Sequence, residues 1–333
     1  MRPLFHPSLV NGRCGDPALY VETLFESRAF LFDLGDIATL TPRKVLRVSH
    51  VFISHTHIDH FIGFDRLLRL NVGRAKNIAV YGPQGIVNAV HHKLQAYKWN
   101  LVDRFQVDLV FDVTEITQQL EWRRVRFRLK SAFAQETTAM GRAAEGIIAD
   151  KPAFRVKTTA LDHRTLCLGY ALEEPVHVNV WKPRLAALDL PVGPWLRDLK
   201  HAIVGGKGDN HLIASPRGVM PLGTLRNLVT VSPGQKIAYV ADVADTRPNR
   251  QAIAALSRNA DLLFIEAAFA DVDATLAAGR AHLTTRAAGE IARAARVRRI
   301  EPFHFSPRYA GEEERLLKEV ARAFSSVDVN DLV

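Results

Sequence analysis

Cysteine is almost missing from this chain: Cys14 and Cys167 are the only two in 333 residues. Two thiols cannot build a disulfide framework or a Cys-rich zinc site, so any metal has to be held by imidazole and carboxylate. Long apolar runs are missing too. No segment approaches the roughly 18 uninterrupted apolar residues of a membrane span. Met1 to Val10 holds an Arg, a His and two prolines, with no apolar stretch of signal-peptide length. The expectation is a soluble protein of the reducing cytoplasm with no membrane partner. A phosphate loop is also lacking. The Gly-rich stretch Gly205-Gly206-Lys207-Gly208 follows no strand–helix unit and has no Lys-Ser/Thr pair, which argues against a nucleotide-binding fold of that type.

What the chain does have is core and positive charge. Hydrophobic residues make up 47%, enough to bury a substantial interior, and charged residues 24%, which argues against disorder. Lys and Arg number 44 against 35 Asp and Glu, a net charge of +9. That balance favours acidic partners such as nucleic acid or phosphate esters.

Strand and helix patterns interleave along both halves. Ala18–Phe25 and Ala29–Asp33 alternate apolar with polar residues and read as a hairpin closed by Glu26-Ser27-Arg28. Val48–Ser54 is a buried-strand run, and Ile62–Leu70 and Ile86–Tyr97 carry helical spacing around a strand at Asn77–Tyr81. Short strands follow at Val125–Leu129, Gly146–Ile148, Phe154–Thr158 and Leu166–Leu172. In the second half, strands at Lys236–Ala241, Asp261–Ile265 and Arg299–Phe303 alternate with helices at Arg250–Ser257 and Thr284–Ala295. This pattern predicts an α/β sandwich with sheets inside and helices outside. Between Glu174 and Ser215 the pattern weakens around short helices at Pro183–Ala187 and Trp195–Lys200. Residues 174–215 therefore read as an inserted arm within a single domain spanning 1–333.

The chemistry concentrates in His55-Thr56-His57-Ile58-Asp59-His60, directly after the buried strand. In extended chain, residues two apart project to one side, so His55 and His57 can reach one ion together. If the chain then turns into a helix, Asp59 and His60 face a second position nearby. Imidazole with carboxylate suits zinc, manganese or iron. A local cluster cannot close two sites alone. Further donors are expected at strand ends: His163, Asp245 and His304. Asp242 is a second carboxylate near Asp245, ranked below it because Asp245-Thr246-Arg247-Pro248 carries the family match given next.

The order of these segments resembles the metallo-β-lactamase superfamily, and within it the ribonuclease Z branch. His55–His60 matches the superfamily signature HxHxDH. Leu161-Asp162-His163 with Leu168-Gly169-Tyr170, Asp245-Thr246-Arg247-Pro248, His282-Leu283-Thr284-Thr285 and Phe303-His304-Phe305-Ser306-Pro307 resemble its later motifs. The stretch Phe5–Gly12 does not read as the strand and Gly-rich turn with which the branch opens. The resemblance implies a four-layered αββα metallo-β-lactamase-like sandwich holding two divalent ions, with zinc expected and manganese or iron as alternatives. It places His55, His57 and His163 on the first ion and Asp59, His60 and His304 on the second, with Asp245 bridging.

Two ions about 4 Å apart lower the pKa of a water and clamp an anionic phosphate. Asp59 is the candidate acceptor of the water's proton. His282, not needed as a ligand, is the candidate donor to the leaving oxygen, paired with Glu266 as the resemblance implies. Arg247, Arg286 and Arg308 follow motif residues and are candidates for binding substrate phosphates. The reading is a dinuclear phosphodiesterase removing 3′ extensions from precursor transfer RNA, with the arm gripping the substrate and a homodimer as the assembly. The alternatives are a metallohydrolase of a small phosphodiester, sulfate ester or lactone, and an inactive nucleic-acid-binding scaffold.

Overall fold

The computed structural model describes residues 4–24 and 26–326. Phe25, expected to end the first strand of the hairpin, lies outside the described residues, as do the ends of the expected 1–333 domain. Strands β1 (Phe5–Leu9), β2 (Leu19–Thr23), β3 (Ala29–Phe32), β4 (Val48–Phe52), β5 (Lys76–Pro83), β6 (Leu109–Ile116), β7 (Glu121–Arg128) and β8 (Gln135–Arg142) lie side by side in chain order in one sheet. Its centre, β3 to β6, is parallel, and its flanks are antiparallel. The chain continues through β9 (Ile147–Lys151), β10 (Phe154–Asp162) and β11 (Leu166–Glu173).

It then enters a second compact unit, Glu173–Gln235 together with Lys151–Arg155. This unit pairs β12 (His177–Val180) with β15 (Val229–Ser232), and β13 (Leu212–Ser215) with β14 (Gly218–Pro221), both antiparallel. Helices Lys182–Ala187 and Trp195–Val204 belong to it, and Leu185, Leu199, Leu222 and Leu225 form its own core. The expected arm at 174–215 thus falls inside a unit that continues to Gln235. The chain returns with β16 (Lys236–Val240), β17 (Leu262–Glu266) and β18 (Ile300–Phe303), which complete a six-stranded sheet in the order β18-β17-β16-β11-β10-β9.

The period-two alternation of the strands decides what each face meets. In β3, Ala29 and Leu31 join the apolar cluster built with helices Pro42–Arg47, Phe64–Asn71 and Ile86–Gln95. Phe30 and Phe32 point the other way. Phe32 stacks on Phe52 of β4 at 5.0 Å, and both meet Tyr170 of β11, at 6.0 and 5.4 Å. Tyr239 of β16 lies 5.7 Å from Phe32. This aromatic seam joins the two sheets. On the far side of the second sheet, Ile253, Ala287, Ala288, Ile291, Leu316 and Val320 pack helices Arg247–Ser257, Thr285–Ala294 and Glu313–Ser325. The result is the expected helix–sheet–sheet–helix sandwich.

Phe5–Gly12 departs from expectation. Phe5–Leu9 is a strand, paired from Phe5↔Thr23 to Leu9↔Leu19. Phe5 is buried and His6 exposed, but His, Pro and Ser in the run hide the alternation from a reading of the sequence.

Candidate metal centre

The strand β4 delivers Ser54 and His55 to the sheet edge in extended chain. His57 stays extended (φ −63°, ψ 155°) as the residue that starts the one-turn helix Ile58–Phe61. His55 Nε2 and His57 Nδ1 come to 2.8 Å of each other, and the turn swings Asp59 and His60 to the neighbouring position. Two glycines permit this packing. A Cβ on Gly63 would sit 2.2 Å from the Gly35 carbonyl oxygen, and one on Gly35 would sit 2.6 Å from that of Asp59. No side chain fits at either place, so the loop after β3 lies directly on the loop carrying His60.

The second sheet supplies the rest. His163 follows β10, Asp242 stands two residues past β16, and His304 follows β18 in a left-handed conformation (φ 60°). Donor atoms of His55, His57, His163 and Asp242 lie within 4.8 Å of one another, as do those of Asp59, His60 and His304. Asp242 stands between the two groups. Its Oδ2 is 3.8 Å from His55 Nε2, 3.7 Å from His163 Nε2 and 3.4 Å from His60 Nε2, and its Oδ1 is 2.7 Å from His304 Nδ1.

This geometry fits metal ions better than it fits a self-contained polar network. Donors about 2.1 Å from a tetrahedral ion stand about 3.4 Å from one another, close to the spacings seen here. His60 Nε2, Asp242 Oδ1 and His304 Nδ1 are buried and satisfied by no hydrogen bond, even where two of them are close. Buried polar atoms are rarely left in that state. A shared divalent cation in front of them would satisfy all three.

The ligands are oriented from behind. Asp33, wholly buried at the end of β3, accepts hydrogen bonds from the Ser54 backbone N–H at 2.6 Å, the Ser54 hydroxyl at 2.7 Å, the Tyr239 hydroxyl at 2.9 Å and His60 Nδ1 at 2.8 Å. His163 Nδ1 donates to the Ala281 carbonyl at 2.8 Å, which turns its Nε2 toward the cluster. Burial and the neighbouring His60 push His55 down to about 2. Burial, followed by His163, also lowers His57. For Asp242, burial opposes ionisation, but His304 and His60 outweigh it and hold the carboxyl well below the usual range. Burial likewise opposes ionisation of Asp59, and its contacts with His304 and His60 bring it down to about 2.

Asp245 is a correction. Its carboxylate accepts a two-pronged contact from Arg250, Nε to Oδ1 at 2.5 Å and Nη2 to Oδ2 at 2.9 Å, and Arg250 also binds Glu290 at 2.8 Å. Thr246 caps the helix Arg247–Ser257, so Asp245 stands just outside that helix and turns back along it rather than toward the cluster. Asp242, ranked lower from the sequence, takes the central place because it is nearer the end of β16. Asn249 fixes this arrangement. Its Nδ2 donates to the carbonyls of Asp162 at 2.9 Å and Ala244 at 2.8 Å, and its Oδ1 accepts from the Asp162 N–H at 3.0 Å. One buried amide therefore ties the loop of His163 to the loop of Asp242. Asn249→Ala is expected to cost about 2–3 kcal/mol in chemical denaturation, since buried backbone groups lose their partners. Metal content should fall in the same variant. Unchanged stability together with full metal content would show that the clamp is dispensable.

His282 and Glu266 stand beside the cluster. Glu266 ends β17 and accepts from the backbone N–H groups of Val243 and Ala268 at 2.7 and 3.3 Å. His282 Nδ1 donates toward both of its oxygens at 3.2 Å. Burial pulls His282 down, but Glu266 outweighs it and raises the imidazole above its ordinary value. A donor atom of His282 lies within 4.8 Å of those of Asp242 and His304, facing a cavity of about 530 Å³ lined also by His57, Asp59 and His163.

The three expected phosphate-binding arginines do not line this cavity. Arg286 is paired with Glu290 at 2.8 Å, Arg308 approaches Asp273 at 3.9 Å, and Arg247 is exposed at the start of its helix. Their positions beside motif residues in the chain reflect helix starts, not a common direction. Sequence reasoning missed Asp33, whose only signal was an acidic residue at the end of the strand run Ala29–Asp33, ahead of Gly35.

The chain matches the beta-lactamase superfamily domain over residues 31–225, the class that the fold and donor set define. It is 31% identical over 296 residues to a ribonuclease Z of Deinococcus radiodurans, covering 88% of this chain and 87% of that protein. It is 30% identical over 307 residues to a ribonuclease Z of Treponema pallidum, covering 90% and 84%. Human tRNase Z, short form, shares the fold at a TM-score of 0.55 with 19% identity, over 91% of both chains. The chain belongs to the ribonuclease Z family of that superfamily.

Proposed function

We propose that this family member is a two-ion phosphodiesterase that acts on RNA, removing 3′ extensions from precursor transfer RNA. The observation that carries the reading is the convergence of His55, His57, His163, Asp59, His60 and His304 around Asp242, beside the His282–Glu266 pair. His55, His57 and His163 would hold one ion and Asp59, His60 and His304 the other, with Asp242 between them. An all-imidazole and carboxylate donor set suits zinc. Such ions, when bound, make water a nucleophile near neutral pH and offset phosphate charge.

The protein's own groups do the rest. Asp59 accepts a hydrogen bond from the attacking water and orients it. Its carboxylate is placed to take the water's proton. His282, its imidazole raised by Glu266, faces the cavity, placed to give a proton to the leaving oxygen. Among the described residues no helix is long and apolar enough to cross a membrane. A cytoplasmic homodimer is the assembly we propose.

Metal analysis is expected to give two ions per chain. Incubation with a 3′-extended transfer RNA should release the trailer and leave a 3′-hydroxyl, and Asp59→Ala should abolish this. Cleavage of bis-p-nitrophenyl phosphate with RNA left intact would overturn the RNA assignment while keeping the metal centre. Chelation should lower the unfolding midpoint, by an amount equivalent to about 4 kcal/mol for a site that had been at a thousandfold excess of ion over Kd. A midpoint indifferent to chelator would show that the cluster holds no ion.

A further inference from the structure

Two arginines that the sequence motifs do not mark line the cavity with the metal cluster: Arg164 and Arg280. Arg164 directly follows His163 in the turn between β10 and β11, and Arg280 closes the helix Ala274–Arg280 two residues before His282. The two turns are fastened to each other. His163 Nδ1 donates to the Ala281 carbonyl at 2.8 Å, and Arg164 Nη2 to the Ala278 carbonyl at 3.3 Å. Both turns contain a residue in the left-handed region, Arg164 at φ 59° and Ala281 at φ 60°. Unlike Arg286 and Arg308, these side chains lie exposed at the cavity with no carboxylate ion pair of their own among the described residues. Asp16 is a further charged group in the lining.

We propose that Arg164 and Arg280 form a clamp for the phosphates that flank the scissile one, so that the site selects a polynucleotide strand over an isolated phosphodiester. A guanidinium offers paired N–H donors matched to phosphate oxygens. A single phosphodiester fills the ion cluster and reaches no further. A strand running out of the cavity carries its next phosphates past the rim, where these two positive groups stand. The proposal rests on the phosphodiesterase reading given above.

The test compares Arg164→Ala/Arg280→Ala with the unaltered protein on two substrates, a 3′-extended transfer RNA and bis-p-nitrophenyl phosphate. The RNA KM should rise about tenfold or more, and kcat/KM for RNA should fall at least tenfold further than that for the small ester. The salt dependence of RNA binding should flatten by about 1.4 in log–log slope, two contacts at ~0.7 each for a single strand. Arg164→Lys/Arg280→Lys should restore most of the slope, because Lys keeps the charge. An unchanged RNA KM and slope would overturn the clamp, and so would equal losses on both substrates, which would place the arginines in the chemistry itself. If the unaltered protein hydrolyses the ester and leaves RNA untouched, the RNA assignment itself fails, a result distinct from either.

Discussion

Asp242→Asn is expected to strip metal from the protein and to lower kcat/KM by about a thousandfold or more, while Asp245→Asn leaves metal content intact and costs at most severalfold. The difference follows from position. Asp242 is buried at the centre of the cluster, within 3.8 Å of four histidine nitrogens. Neutralising it removes the one charge that both ions would share. A loss of about 4 kcal/mol in transition-state stabilisation is a thousandfold in rate, within the several kcal/mol that a metal's charge supplies at a phosphate. Asp245 makes a half-exposed pair with Arg250, of a kind worth about 1 kcal/mol or less. Inductively coupled plasma analysis and steady-state kinetics on the two variants decide the matter. Metal loss in the Asp245 variant with retention in the Asp242 variant would reverse the assignment.

The second large effect is expected at His282. On RNA, whose leaving group is an alkoxide, His282→Ala should slow turnover by about 10²–10⁴, the usual worth of a general acid. On bis-p-nitrophenyl phosphate the departing nitrophenolate needs no proton, and the loss should be about tenfold or less. Glu266→Gln should fall between the wild type and His282→Ala on RNA. It keeps a partner for His282 Nδ1 but withdraws the charge that raises the imidazole. Equal losses on both substrates would assign His282 to ligation or to shaping the cavity instead of proton transfer.

Much of the architecture was legible because the central strands are apolar runs that the fold buries and the helices carry apolar residues at helical spacing. The runs ending at Ser54, Leu172 and Phe303 all coincide with strands β4, β11 and β18, and the helical spacing from Thr284 coincides with the helix Thr285–Ala294. What stayed hidden had no such contrast. β8, Gln135–Arg142, is exposed along nearly all its length, so no apolar alternation marks it. The cluster His55–His60 was legible because strand, turn and ligands are contiguous. Asp242 and Asp245 could not be told apart because they are three residues apart in one loop. Which of them faces the cluster depends on where helix Arg247–Ser257 begins and on Asn249, a long-range clamp with no local signature. Asp33 was invisible for the same reason: its partners Ser54, His60 and Tyr239 lie far along the chain.

The donors come from loops at the ends of strands in both sheets, and His304 follows β18, the last strand among the described residues. During synthesis, therefore, a nascent chain carrying His55 to His60 holds only part of the centre until β18 has left the ribosome. A centre assembled this way stays incomplete until the strand that carries its final ligand has been made.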